Sequence, residues 1–314
     1  MGVTFVEGAA RVRVPATSAN LGPGFDSLGL ALGLHDDVAA WATDRGWHVD
    51  VFGEGAGELP TGADHLVAKA MAATFERLGG APPGVAVECV NRIPQARGLG
   101  SSSAAIVAGV QLARALVRDG TTILDDAAAL ALAAELEGHP DNVAPCLLGG
   151  FVIAWTDAGV ARAVRLEPAA RVRPTVFIPT DRGLTAEARA ALPATVPHHD
   201  AAFTAGRAAL LVHALTRAPD LLFPATADRL HQHYRAPAMP AAAALVDELR
   251  GRGVAAVVSG AGPAVLALTR PPDDLDVGID WRQVELAIDV AGARIGSGRL
   301  GHAERAPVAA GRKS

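Results

Sequence analysis

The chain has 314 residues, half of them hydrophobic and 19% charged, with a formal net charge of −5 and a pI near 6.0. At roughly 150 residues per domain this predicts about two domains with a real core and excludes a disordered chain; the acidic balance disfavours a general nucleic-acid binder. Two cysteines, Cys89 and Cys146, cannot build a disulfide scaffold or a four-thiolate zinc site, and a reducing compartment fits them.

The first strand is expected at residues 11–14, where Arg and Val alternate up to Pro15. Further strands are expected at 47–52 and 84–91, with a helix over 66–78 that stops at Gly79-Gly80. Residues 102–117 carry the clearest helical pattern, with Ala105, Ile106, Val110, Ala113 and Val117 on one face. A helix over 125–136 has Asp125 as its N-cap, and a strand follows at 151–155. Residues 165–174, rich in Arg, Ala and Pro, form the expected domain boundary. Beyond it come a strand at 175–178, helices at 185–192, 201–215 and 240–250, and strands at 254–258 and 265–269. A short helix over 282–288 and a last strand over 290–295 complete the chain, with a frayed tail after Gly301. Strands and helices do not alternate one for one, which favours an α+β fold over a doubly wound parallel sheet. Residues 1–10 lack a basic flank followed by an apolar run, and no apolar stretch reaches spanning length before a charge, Gly or Pro interrupts it. No membrane partner and a cytoplasmic location are expected.

Three glycine-rich segments carry chemistry. Pro15-Ala-Thr-Ser-Ala-Asn-Leu-Gly-Pro-Gly-Phe-Asp-Ser-Leu-Gly-Leu-Ala-Leu32 follows the first strand and holds Asn20 and Asp26. Its glycine spacing is not the dinucleotide fingerprint. It reads either as a binding loop or as a tight turn capped by those two side chains. Pro94-Gln-Ala-Arg-Gly-Leu-Gly-Ser-Ser-Ser-Ala-Ala105 leads from a strand into the strongest helix. Free amides and the dipole at a helix start favour an anion, and Gly98 and Gly100 let those amides face it. Ser101, Ser102 and Ser103 exceed what one cap requires, so phosphate binding outweighs a plain capped helix. Two of the 28 basic residues are lysines, Lys69 and Lys313; neither sits in a Gly-Lys-Ser/Thr loop, so phosphate is handled without a Walker A motif. The third segment, Ser259-Gly-Ala-Gly-Pro-Ala-Val265, is by itself a turn or bulge. A fourth run, Glu137-Gly-His-Pro-Asp-Asn-Val-Ala-Pro145, crowds Glu137, His139, Asp141 and Asn142 together. It is either a capped loop or a site whose carboxylate holds Mg²⁺ through oxygen. Cys146 reads as a small buried residue rather than a nucleophile; a zinc role for His198-His199-Asp200 or for His231 and His233 has no support, since adjacent histidines more often cap or face solvent.

Together these segments resemble the GHMP kinase superfamily, and most closely its homoserine kinases, over residues 11–269. The first segment and the His139-Pro-Asp-Asn142 run point to the homoserine branch; the Gly-Glu-His of mevalonate-type enzymes and the arginine-bearing galactose signature are absent. The resemblance implies an N-terminal domain like domain 2 of ribosomal protein S5 at residues 1–168. A ferredoxin-like C-terminal domain at 169–305 and a tail at 306–314 follow. It implies ATP as co-substrate, Mg²⁺, L-homoserine as acceptor and a homodimer.

Carried over by motif, Pro94, Gln95, Ala96, Arg97, Gly98, Leu99, Gly100, Ser101, Ser102, Ser103 and Ala104 would wrap the ATP phosphates. Ser101 and Glu137 would ligate Mg²⁺, with Glu137 chosen over Glu135 because it adjoins the Gly-His-Pro-Asp-Asn run. Asn20 and Asp26 would bind the amino end of homoserine, with His139, Asp141 and Asn142 at the reacting hydroxyl. Thr185 and Arg189 match a Thr-x-x-x-Arg substrate segment, and Arg189 and Arg235 would clamp the carboxylate, a task that suits a planar guanidinium. Gly260 and Gly262 belong to the third motif. Two positions depart from the family pattern: Ala264 replaces a threonine, and His65-Leu66 replaces Asn-Leu. The rival readings are a GHMP kinase for another small alcohol or sugar, and a non-catalytic ATP-binding relative.

Overall fold

The computed structural model describes residues 3–183 and 185–305; the expected tail at 306–314 lies outside them. The strands are β1 (Ala9–Ala19), β2 (Leu28–Thr43), β3 (Gly46–Gly53), β4 (Gly84–Asn91), β5 (Phe151–Asp157), β6 (Val160–Leu166), β7 (Thr175–Pro179), β8 (Ala256–Val258), β9 (Val265–Ala267), β10 (Trp281–Glu285) and β11 (Arg294–Ser297). The main helices are α1 (Leu66–Leu78), α2 (Ser101–Leu116), α3 (Asp126–Glu137), α4 (Pro140–Leu148), α5 (Thr185–Ala190), α6 (His198–Thr216) and α7 (Pro240–Gly251).

Seven strands form one sheet: β11-β1-β2-β4-β3 lie in that order, β5 branches from β2, and β6 pairs with β5. The long β2 serves two partners: Leu28–Leu30 pairs with β5, and Asp37–Thr43 pairs with β4. A bulge at Pro15/Ala16 in the β1–β2 ladder lets one strand bend between them. Among the described residues only β3 and β4 run parallel. The second sheet is antiparallel, in the order β10-β7-β9-β8. A division at 168/169 separates the sheets along the chain, except that β11 crosses back and pairs with β1. The α+β expectation holds.

α1 runs from a His65 cap to Gly79 at φ 93°, as its stop signal requires. α2 packs between α1 and the first sheet and is buried on several faces, through Ile106, Val107, Val110, Leu112 and Leu116. Phe75 and Phe151 are fully buried in the same core, and each such side chain contributes about 1.5–3 kcal/mol. No helix among the described residues is long and apolar enough to cross a membrane.

Five expectations change. β2 is one 16-residue strand that was not foreseen, because Leu30, Leu32, Val38 and Ala40 share their runs with buried Ala31 and Ala39 and give no alternation. The Pro140 segment, read as a loop, opens helix α4: proline stands at its first turn, where no amide hydrogen is needed. β6 covers residues 160–164, for which no element is expected, and the first two residues of the boundary segment read as irregular. The helix expected over 282–288 is strand β10, because β7 offers a free edge and takes it up in register from Trp281 opposite Pro179 to Glu285 opposite Thr175. The last strand starts four residues late, at Arg294, because Asp289 Oδ1 first accepts the amides of Ala291 and Gly292 in a turn.

Candidate active site

A cleft of about 480 Å³ opens where the segments expected to carry chemistry meet. Its floor is the loop between β4 and α2. Gly98 and Gly100 have φ of 75° and 70°, and Gly100 is the N-cap of α2 with no side chain capping the helix. The amides of Ser101, Ser102 and Ser103 therefore lack intrahelical partners and face the cleft end of the helix dipole. A Cβ on Gly98 would stand 2.2 Å from the Ser259 carbonyl, so only glycine fits. That contact marks the third glycine segment as the support beneath the loop. Ser259 Oγ donates to the Gly98 carbonyl at 2.7 Å, and the Ala264 amide donates to the Arg97 carbonyl at 3.0 Å. The Arg97 side chain points away and donates to the Pro179 and Gln95 carbonyls, anchoring the loop to β7.

Opposite the loop, α3 ends at Glu137 and α4 begins at Pro140. Glu137 Oε1 accepts hydrogen bonds from Ser102 Oγ at 2.7 Å and Ser103 Oγ at 2.8 Å. Ser101 lines the cleft beside them, whereas Glu135 pairs with Arg77 on the surface. His139 Nδ1 donates to Asp141 Oδ1 at 2.6 Å, and this bond raises the His139 pKa above its ordinary value against the opposing effect of burial. Asp141 is 2% exposed. Its peptide carbonyl lies against Gly29, where a Cβ would stand 2.1 Å away. Asn142 Oδ1 accepts from Thr17 Oγ1 at 2.8 Å, and the Thr17 amide donates to the Leu99 carbonyl at 3.0 Å. β1 thus links the β4–α2 loop to the start of α4.

The first glycine segment forms the third wall. Asn20 and Asp26 both adopt positive φ, 67° and 52°. Asn20 braces the turn: Nδ2 donates to the Gly260 carbonyl and Oδ1 accepts the Asp26 amide, both at 2.9 Å. Asp26 makes a two-pronged ion pair with Arg189 of α5, at 2.9 and 3.0 Å. Arg235 is buried at the end of the turn Gln232–Arg235, its Nε donating to the Ala188 carbonyl. Both guanidinium groups lie near the Phe25 ring, 5.7 Å from its centre for Arg189 and 5.3 Å for Arg235.

The cleft therefore gathers most of the expected residues: Asn20, Asp26, the loop from Gln95 to Ser102 with Ala104, then Glu137, His139, Asp141, Asn142, Arg189, Arg235 and Gly260. Pro94 and Ser103 are buried behind it, Gly262 lies in the supporting turn beside Gly98, and the Thr185 side chain lies outside the described residues. Sequence reasoning missed the braces Thr17, Ser18 and Ser259, the aromatic Phe25, and the buried Asp36 in the cleft wall; His65, singled out as a departure from the family pattern, lines the same wall. A signal existed for Thr17 and Ser18: two adjacent polar residues in the stretch of β1 beyond Pro15 that is otherwise alanine.

Among the described residues no cluster of three or more His, Cys, Asp or Glu side chains could hold a metal alone. One carboxylate beside serine hydroxyls is nevertheless a set of hard oxygen donors. It suits Mg²⁺, which takes few protein ligands and completes its shell from phosphate and water.

Residues 65–150 match the family of GHMP kinases N terminal domains, and residues 201–280 match the family of GHMP kinases C terminal domains. A homoserine kinase of Streptomyces coelicolor is 57% identical over 298 residues, covering 94% of this chain and 96% of the relative. One from Clavibacter michiganensis is 50% identical, covering 91% and 93%. The crystal structure of a homoserine kinase from Cytophaga hutchinsonii superposes with a TM-score of 0.78 at 26% identity, covering 94% of this chain and 99% of that one. With the glycine loops, the Glu137–Ser pairings and the Asp26–Arg189 pair all facing one cleft, the chain belongs to the homoserine kinases of the GHMP kinase superfamily.

Proposed function

We propose that this chain transfers the γ-phosphoryl group of ATP to the side-chain hydroxyl of L-homoserine, giving O-phospho-L-homoserine and ADP. The observation that carries this reading is the Asp26–Arg189 ion pair, joined by the buried Arg235, in the same cleft as the phosphate loop. An α-amino acid brings one ammonium and one carboxylate. Asp26 can exchange Arg189 for the ammonium, while Arg189 and Arg235 take the carboxylate. Each charge of the zwitterion then meets an opposite charge, whereas a neutral sugar or a simple alcohol leaves the pair unchanged.

Phosphoryl transfer depends mainly on alignment and on neutralising charge. The amides of Gly98 to Ser103 and the α2 dipole would receive the phosphate oxygens. Glu137 and Ser101 would hold Mg²⁺, whose charge screens the phosphates. Asp141 and Asn142 stand at the start of α4, where the hydroxyl would lie between them and the loop. The proton of that hydroxyl has two destinations, the Asp141 carboxylate or the phosphoryl group itself. His139 orients Asp141 in either case. A cytoplasmic location fits the demand for ATP.

The test is ADP release with Mg-ATP against L-homoserine, L-serine, L-threonine, mevalonate and galactose. Strong turnover with L-homoserine alone is expected. Turnover with galactose or mevalonate in its place, or ATP binding with no turnover of any acceptor, overturns the reading.

A further inference from the structure

His231 has no part in the scheme above, yet its imidazole is wholly buried between the two walls of the amino-acid end of the cleft. Nε2 lies 2.7 Å from the Gly22 carbonyl oxygen, and Nδ1 lies 3.3 Å from Nη1 of Arg235. A carbonyl can only accept and a guanidinium can only donate. One form of the ring satisfies both: neutral, with its proton on Nε2. Burial lowers the His231 pKa and favours that form. The nearby carboxylate of Asp228 is occupied by the backbone amides of Leu230, His231 and Gln232. The ring also stacks on Phe25, with centres 5.1 Å apart, so His231 and Arg235 share one aromatic support.

Arg235 makes no carboxylate ion pair among the described residues. It is a buried cation held by neutral acceptors: the Ala188 carbonyl, His231 Nδ1 and, at 3.4 Å, the Gly260 carbonyl. A cation held in that way keeps its charge for an incoming anion. On the far side of His231, Gly22 belongs to the turn that carries Asn20 and Asp26. A Cβ on Gly22 would stand 2.6 Å from the Thr226 carbonyl, so the turn rests directly on the C-terminal half.

We propose that His231 is a positioning residue: its Nε2–H tautomer aims Arg235 at the substrate carboxylate and fixes the Gly22 turn to the same clamp. The inference rests on the assignment of Arg235 made above. Two substitutions separate the two contacts. His231→Gln retains a donor near Nε2 and loses the acceptor that faces Arg235. His231→Asn retains an acceptor near Nδ1 and cannot reach Gly22.

Steady-state kinetics with L-homoserine and ATP, run beside thermal melts, reads the difference. A hydrogen bond to a charged group predicts that His231→Gln raises KM for L-homoserine on the order of tenfold and KM for ATP less than about twofold. His231→Asn keeps KM for L-homoserine within about threefold of the parent and lowers Tm through the lost Gly22 contact. Equal rises in both KM values for His231→Gln overturn the proposal. So does a rise in His231→Asn that matches His231→Gln, and that variant decides alone if His231→Gln does not fold. Arg235→Gln is the control. If it leaves KM for L-homoserine unmoved, the clamp assignment itself falls and the inference with it. If it raises that KM while His231→Gln does not, only the inference falls.

Discussion

Asp36 offers a quantitative test of the cleft's electrostatics. Its carboxyl is 5% exposed, and Oδ1 accepts the amides of Arg92 at 2.6 Å and Ile93 at 2.9 Å. Those bonds favour the anion, but burial outweighs them and pushes the pKa from 3.8 up to about 7. Between about pH 4 and pH 7 the folded chain therefore holds a proton that the unfolded chain has released. Stability falls across that window and is level above it. A shift of about 3 units at 1.36 kcal/mol each is on the order of 4 kcal/mol. Asp36→Asn preserves the acceptor for both amides and removes the titration. At about 2 °C per kcal/mol for a chain of this size, the variant melts roughly 4–8 °C above the parent at pH 8, the range allowing for relaxation around the charge. At pH 4 the difference shrinks towards zero. Paired thermal melts from pH 4 to pH 8 measure it, and the difference between the two proteins cancels all other titrating groups. A variant that melts lower at pH 8, or a gap that does not change with pH, refutes the reasoning.

Three further outcomes are expected. Gly98→Ala places a Cβ against the Ser259 carbonyl at a φ that L side chains avoid; KM for ATP rises at least about tenfold and Tm falls, and unchanged ATP kinetics would remove the loop from the phosphate site. If Asp141 accepts the hydroxyl proton, Asp141→Asn lowers kcat by roughly 10²–10⁴; a loss under about tenfold assigns the proton to the phosphoryl group. The same substitution moves the His139 imidazole pKa downward in an NMR titration. In the parent, that pair stabilises the fold fully below the ordinary histidine value of about 6.5, and the contribution is lost as pH rises through the raised folded value. Arg189→Ala raises KM for L-homoserine far more than KM for ATP, and equal rises would reduce the Asp26–Arg189 pair to a structural role.

The parts of the fold legible in the sequence were those set by local rules. α1 ends where Gly79-Gly80 ends it, and β4 lies at residues 84–91 as expected because a turn bounds it on both sides. β2 was hidden because both of its faces are covered, leaving no period to read, and Asp36-Asp37 resembles a turn until their partners are known. Those partners are the amides of Arg92 and Ile93 for Asp36, and the side chains of Arg11, Arg13 and Arg92 for Asp37. All are distant in the chain. The loop proposed to bind phosphate was legible because its residues are contiguous in the chain. The pairing of Asp26 with Arg189 was not, since 163 positions separate them and only the packing of α5 beside the first glycine turn brings them together. Asn20 illustrates a middle case. Both readings of its segment recognised the residue, but its two hydrogen bonds brace the turn.

The return of β11 to the first sheet fastens the two halves of the chain together twice. The chain leaves that sheet after β6 and re-enters it after β10, and the two crossings touch, the Leu286 amide donating to the Pro174 carbonyl at 2.9 Å. A body held by two adjacent strands can flex about their common line but cannot swivel around a single bond. The two halves are thus tied at this strap and again at the cleft, where Ser259 and Ala264 hold the Gly98 loop, so Arg189 and Arg235 keep their place opposite Asp26.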